Sequence, residues 1–109
     1  MAYNESLAAR VRDVLSDEFG VVEKKMFGGL AFMLRGNMCV GIVNDNLLVR
    51  VGKENHATAL ALPHARVMDF TGKPMQGFIY VDPAGIASDD DLAVWVSRGV
   101  AYAGSLPAK

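Results

Sequence analysis

The chain has 109 residues, of which 51% are hydrophobic, and its 11 Lys and Arg against 12 Asp and Glu give a formal net charge of −1. This length provides one domain with a single core, and the balanced charge disfavours a protein that coats nucleic acid through a basic excess. The single Cys excludes an internal disulfide, and no apolar run approaches the roughly 20 residues that cross a bilayer. Because the N-terminal segment also lacks a signal-peptide pattern, we expect a cytoplasmic protein.

The first half of the chain predicts a helix followed by an antiparallel meander. Asn4 is suited to cap a helix over residues 5–18, where apolar residues recur at helical spacing. Beyond it, short apolar runs alternate with glycine or polar turns, which is typical of sequential antiparallel strands. The predicted strands begin at residue 21 and end before Gly28, then cover 30–34, 38–43 and 47–51. Residues 26–43 thus form the apolar centre of the predicted sheet.

The second half predicts a short helix, two more strands and a final helix. The helix covers 53–62, and the strands cover 65–70 and 77–81. Ser88 is suited to cap the last helix, which runs to about residue 104. The predicted fold class is α+β, with an antiparallel sheet of about five to six strands in the order α-β-β-β-β-α-β-β-α and helices covering it.

One strand in this arrangement has a mixed face. In the strand over 47–51, Leu47, Val49 and Val51 share one side, and Leu48 and Arg50 share the other. The second side combines an apolar and a charged residue. We therefore expect it to be partly exposed to solvent.

A set of motifs runs through nearly the whole chain. They are 24–33 (KKMFGGLAFM), 38–41 (MCVG), 46–51 (NLLVRV), 68–75 (MDFTGKPM), 77–81 (GFIYV) and the helix around Trp95. In residue type and spacing they resemble the N-terminal domain of the TfoX/Sxy competence regulators. The resemblance identifies residues 1–109 as a single stand-alone domain of this kind.

The resemblance implies an antiparallel α+β architecture related to type III secretion chaperones. It also implies a link to the regulation of competence and transcription. The competence regulators carry a further C-terminal helical domain, similar to a helix-hairpin-helix module, which these 109 residues do not include. The family brings no established catalytic residues to transfer to this sequence.

The residues that could carry catalysis or bind a metal favour structural roles. Cys39 lies inside an apolar run and has no motif that connects it to His56 or His64, so we interpret it as a packing residue. The two histidines are eight residues apart, too far for a common zinc motif. The aspartates 89–91 suit the first turn of a helix, and the glycines 28–29 suit a bulge or positive backbone angles. We expect no catalytic residue, cofactor or metal.

Basic residues on the predicted strands and turns are the candidate contacts to nucleic acid or to a protein partner. They are Lys24, Lys25, Arg35, Arg50 and Lys73, with Lys53 and Arg66 as further members. Aromatic side chains at 78 and 80 would be compatible with a nucleic-acid surface. The negative net charge favours an ordinary solvated face instead.

The sequence is compatible with three kinds of function. The first is a non-catalytic protein-interaction and regulatory module, which works as a homodimer through its sheet or an exposed helix face or binds another regulatory protein. Six methionines support it, because Met is frequent at adaptable binding surfaces. The alternative is an auxiliary nucleic-acid-binding domain. The last is a small-ligand carrier or an enzyme with an unrecognised pocket, which no pairing of base and nucleophile supports.

Overall fold

A computed structural model describes residues 3–26, 28–67 and 76–108. These residues form three α-helices and six β-strands. The helices are α1 (Glu5–Val14), α2 (His56–Leu60) and α3 (Asp89–Gly104). The strands are β1 (Val21–Met26), β2 (Gly29–Leu34), β3 (Asn37–Val43), β4 (Asn46–Arg50), β5 (Ala65–Val67) and β6 (Phe78–Val81).

The six strands form one antiparallel sheet in the order β1-β2-β3-β4-β6-β5. Neighbours in sequence pair through short turns from β1 to β4, and β6 then inserts between β4 and β5. The helices flank the sheet, and α3 makes its main contacts with β3 and β4. The predicted α+β class and the predicted order of elements are therefore confirmed.

The main core lies between the sheet and its helices. The strand registers align apolar side chains in rows across the sheet, because directly paired residues point to the same face. One such row runs Phe32, Val40, Val49 and Ile79, and all four are fully buried. Side chains from α1 and α3 cover these rows; those that are buried are Leu7, Ala8, Val11, Leu92, Trp95, Val96 and Ala103.

Helix α3 approaches β3 very closely at one point. The pairing of β2 with β3 shifts its register between Phe32 and Met33, whose partners Val40 and Met38 lie on either side of Cys39. Gly99 packs there, and a Cβ at that position would clash with the carbonyl oxygen of Cys39. Glycine therefore allows the helix backbone to rest on the strand backbone.

Both long helices begin at the predicted caps. The Asn4 side chain accepts a hydrogen bond from the Leu7 amide at 3.0 Å, and the Ser88 hydroxyl accepts one from the Asp91 amide at 3.1 Å. Each cap satisfies an amide that has no partner within its own helix. Arg10 of α1 also donates to the Ile86 carbonyl, at 2.8 Å, just before α3 begins.

Several boundaries differ from the predicted ones. The predicted helix over 5–18 is α-helical only to Val14 and ends in a 3₁₀ turn over Leu15–Asp17, a common way for a helix end to tighten. The helix predicted over 53–62 divides into a 3₁₀ turn, Lys53–Asn55, and the short α2. Of the strand predicted over 65–70, the structure describes Ala65–Val67 as β5, and residues 68–70 lie outside the described part.

Candidate interaction surface

The sheet has a second face, which we call the outer face, opposite the helix-covered one. A single row of paired residues crosses it from edge to edge: Lys24, Ala31, Gly41, Leu48, Tyr80 and Arg66. The row begins and ends with a cation, and its middle is apolar. Adjacent strands lie about 4.8 Å apart, so five spacings place the two outer strands that carry these cations about 24 Å apart.

The middle of the outer face is a small hydrophobic cluster. Ala31 and Leu48 are fully buried there, and Met38 is nearly so. The half-buried side chains of Met33, Phe78 and Tyr80 pack against them. Arg50 on the same side of β4 is half-buried, as expected for a partly exposed side, but Leu48 itself is fully buried. The larger neighbouring side chains enclose it, which the period of β4 alone does not reveal.

Strand β1 is one edge of the sheet, because β2 is its one strand neighbour among the described residues, and β5 is the other edge. Every residue from Val22 to Met26 is exposed. The described chain exposes four large hydrophobic side chains, and three of them are on β1 or in the turn before it: Val22 at 56%, Met26 at 41% and Phe19 at 83%. The fourth is Val94 on α3, at 56%. Exposed apolar residues concentrated on one edge are typical of a binding surface.

An ion pair connects this edge to the helix layer. Arg12 of α1 donates two hydrogen bonds to the carboxylate of Glu23, at 2.6 and 2.8 Å. The bond from Arg12 is the main reason that the pKa of Glu23 is lowered, although partial burial opposes the shift. The same bond raises the pKa of Arg12. Glu23 therefore stays ionised at neutral pH and presents a negative charge on the helix side of β1.

The four predicted basic contacts that the structure describes do not form one patch. Lys24 and Lys25 are exposed but point to opposite faces of β1. Arg35 lies in the β2–β3 turn, where its Nη1 donates to the Phe19 carbonyl at 3.1 Å. Arg50 shares the outer face with Lys24, but three strand spacings, or about 14 Å, separate their strands. Lys73 lies outside the described residues.

Two arginines on the outer side are engaged with aromatic rings. The Arg50 guanidinium lies 5.8 Å from the centroid of the Phe78 ring and 5.3 Å from that of Tyr102. Arg66 lies 5.7 Å from the Tyr80 ring and donates to Asp82 at 2.6 Å. Partial burial raises the pKa of the Tyr80 hydroxyl. These cation–π contacts occupy the aromatic faces on which a nucleic-acid base would stack.

Comparison with protein families decides which kind of domain this fold represents. Residues 13–103 match the family described as the TfoX N-terminal domain. The chain belongs to the TfoX N-terminal domain family. No curated protein and no solved structure matches the chain. The expected relation to type III secretion chaperones therefore stays a prediction.

The candidate nucleophile of this TfoX N-terminal domain is deeply enclosed. Cys39 is fully buried against α3, and burial raises the pKa of its thiol to about 11. At neutral pH such a group is a protonated thiol, whereas a nucleophilic Cys requires the thiolate. His56 accepts a hydrogen bond on Nδ1 from the Gly77 amide at 2.9 Å, so this nitrogen is occupied. His64 is exposed in a turn with a φ of +68°.

A cleft of about 730 Å³ lies between residues 51–55 and the C-terminal half of α3. Lys53, Glu54, Arg98 and Tyr102 line it, so charges of both signs face the same space. The Nε of Arg98 is buried and has no hydrogen-bond partner among the described residues, while its guanidinium lies 5.5 Å from the Trp95 ring centroid. The hypothesis of a small ligand would place it in this cleft.

The acidic residues and the helices of the described chain bear on metal binding and on membrane crossing. Within the ranges 3–26, 28–67 and 76–108, no group of three or more His, Cys, Asp and Glu side chains is arranged to hold a metal ion. The aspartates 89–91 instead occupy the first turn of α3, where Arg10 contacts Asp89 at 3.2 Å. No helix of the described chain has the length and apolar character to cross a membrane.

Proposed function

We propose that this TfoX N-terminal domain is a non-catalytic protein-interaction module that binds protein through β1 and the adjoining outer face. The observation that carries the proposal is the exposure of Val22 and Met26 on the edge strand β1, with the exposed Phe19 in the turn just before it. An edge strand offers unpaired amides and carbonyls, and exposed apolar side chains beside them add contact area. The family resemblance to the TfoX/Sxy regulators is the reason to propose a regulatory role for the binding.

The chemistry of the candidate catalytic residues supports the non-catalytic part of the proposal. The raised pKa and complete burial of Cys39 favour packing over reaction. His56 uses Nδ1 to hold the Gly77 amide, which is a structural task. Neither arrangement pairs a nucleophile with a free base.

The test uses a matched pair of substitutions. Val22 on β1 and Val94 on α3 are equally exposed, so Val22→Ser and Val94→Ser remove the same apolar area from two different surfaces. We expect immobilised wild-type domain to retain proteins from a nuclease-treated extract of the source cells. Val22→Ser should lose them at least tenfold, and Val94→Ser should retain them. Equal retention by both variants, or loss with Val94→Ser alone, would contradict the proposal.

A further inference from the structure

We infer that β1 pairs with β1 of a second copy of this chain, antiparallel, about a two-fold axis that passes through Lys24. This inference rests on the proposed function, because it names the protein that the β1 edge binds. Three features of the described edge carry it: the direction of its free backbone groups, the order of its side chains and the position of its exposed apolar residues.

The free backbone groups of β1 belong to alternate residues. The Arg35 amide donates to the Gly20 carbonyl at 2.9 Å, so the backbone carbonyl of Gly20 points towards β2. The other even-numbered residues of β1 are expected to face β2 in the same way. The pairing of Lys24 with Ala31 continues the same register along β1. In an antiparallel ladder, inward and outward backbone groups alternate. The amides and carbonyls of Val21, Glu23 and Lys25 therefore point away from β2 and are available to another strand.

The side-chain order then selects one symmetric register. In an antiparallel pair, residues that lie directly opposite each other point to the same face of the sheet. A two-fold axis between two residues would oppose residues of different faces, so the axis has to pass through a residue. An axis through Lys24 places Val22 opposite Met26 of the second copy, and Glu23 opposite Lys25 of the second copy. Each of these pairs occurs twice. Two apolar pairs then lie on the outer face, and two oppositely charged pairs lie on the helix side.

The neighbouring registers are poorer. An axis through Glu23 opposes two glutamates at the centre and places Val22 against a lysine. An axis through Lys25 opposes two lysines and places Met26 against Lys24. The register centred on Lys24 alone combines both favourable kinds of pair. It also forms four backbone hydrogen bonds, because Glu23 and Lys25 belong to the hydrogen-bonded pairs.

The same register makes the association reversible. Lys24 lies opposite its own copy on the axis, and like charges directly opposed are destabilising. One strand from each copy also makes a contact smaller than that of a permanent dimer. We therefore expect a concentration-dependent dimer that Lys24→Thr strengthens, since this change removes the repulsion between the two lysines on the axis.

Cross-linking by disulfides tests the register directly. Residue 24 lies in a non-hydrogen-bonded pair, where Cα atoms are about 4.5 Å apart, within the range that a disulfide spans. With a mild added oxidant, we expect Lys24→Cys to form a covalent dimer. Val22→Cys mixed with Met26→Cys should also form one, while Val22→Cys alone should not. Buried Cys39 is present in every variant, so the wild-type chain provides the background.

A matched control is Lys53→Cys, because Lys53 is exposed but lies away from β1. We expect at least tenfold less dimer from it than from Lys24→Cys. Equal dimer from both variants shows random collision and overturns the inference. A dimer from Glu23→Cys in place of Lys24→Cys overturns the register and the inference with it.

Sedimentation of the unmodified chain provides a second measurement. We expect dimer to appear with rising concentration, and Lys25→Pro to weaken it at least tenfold relative to Lys25→Ala. Proline at this position removes an outward amide and no bond to β2. A chain that stays monomeric at about 1 mM, with no excess cross-link at residue 24, overturns self-pairing. Retention of other proteins that depends on Val22 would then leave the proposed function standing, so the two failures are distinguishable.

Discussion

The two faces of the sheet bury comparable side chains in different surroundings. On β4, Leu47 points to the helix-covered face and Leu48 to the outer face, and both are fully buried. Leu47 belongs to a large cluster that α1 and α3 close. Leu48 belongs to a cluster of three buried residues that half-exposed side chains surround. Full burial of a side chain therefore does not show how deep or how dry its surroundings are.

The difference separates two roles within one sheet. The helix-covered face has continuous apolar rows and a very close helix contact at Gly99, which favour rigidity. The outer face has a thin apolar cluster that continues towards the exposed Val22 and Met26 on β1. Stability is concentrated on the first face, and the surface available for binding lies on the second and its edge.

The sharpest test of this comparison is the pair Leu47→Ala and Leu48→Ala. We expect Leu47→Ala to lower the free energy of unfolding by about 4 kcal/mol, because the closed core retains most of the cavity. Leu48→Ala should cost about 2 kcal/mol, because the flexible Met33 and Met38 can move into the space. Urea denaturation of both variants measures the difference. Equal costs, or a larger cost for Leu48→Ala, would contradict the division between the faces.

The sequence predicts the helix-covered face better than the outer one. Hydrophobic period alone identifies Leu47 and Val49 as core residues, and capping chemistry alone identifies Asn4 and Ser88. Burial of Leu48 depends on Met38 from β3 and Phe78 from β6, which approach it only in the folded sheet. Such contacts depend on register and strand order, which local patterns do not specify.

The candidate surface could be predicted only in part. Lys24 and Lys25 are correctly expected at the surface, but a shared basic patch would require them to point the same way, which the alternation of a strand prevents. Phe78 and Tyr80 suit a core strand by residue type, yet they lie half-exposed on the outer face. The strand order places β1 at an edge of the sheet. Val22 and Met26 can therefore be recognised as part of an exposed edge only once the strand order is known.

The next largest effect is expected at the close contact between Gly99 of α3 and β3, which holds the helix against the sheet. Gly99→Ala places a Cβ against the Cys39 carbonyl, so we expect a loss of about 2 kcal/mol despite the better helix propensity of alanine. Gly104→Ala in the same helix is the control, because the added Cβ has only Arg35 within 4 Å, at 3.7 Å. Thermal unfolding should show a lower midpoint for Gly99→Ala alone, and a matching loss in Gly104→Ala would rule out the steric cause.

A smaller effect, at Cys39, tests whether water is excluded from the core under the helix-covered face. Burial raises the pKa of its thiol from an ordinary 9.0 to about 11 in the folded chain. The unfolded chain therefore loses its proton first, and this contribution to stability is complete below pH 9 and is lost as the pH rises through 11. At pH 10 we expect a loss of about 1 kcal/mol relative to pH 8.

The control for this pH dependence is Cys39→Ala, which keeps every other titrating group. The free energy of unfolding of the wild-type chain should fall towards that of the variant between pH 8 and pH 10, as measured by urea denaturation at each pH. A constant difference between the two proteins over this range would show that the thiol is solvated in the folded state.

The smallest expected effect concerns the ion pair that connects the β1 edge to the helix layer. Arg12 and Glu23 make a two-bond contact, but their side chains are 48% and 34% exposed, so solvent screens most of the attraction. A double-mutant cycle of Arg12→Gln and Glu23→Gln should give a coupling of about 0.4 kcal/mol. The lowered pKa of Glu23 makes this contribution present above the ordinary value of 4.5, and it is lost as the pH falls through the folded value.

The size of this coupling bears on what the β1 edge does. A value near 0.4 kcal/mol that disappears in 1 M salt means that β2, not the helix layer, holds β1 in place. Glu23 then keeps capacity for a further cation, such as the lysine that the inferred pairing places opposite it. A coupling above about 1 kcal/mol would mean that the edge is built into the stable layer. The separation between a stabilising face and a binding edge would then be wrong at the position where the two meet.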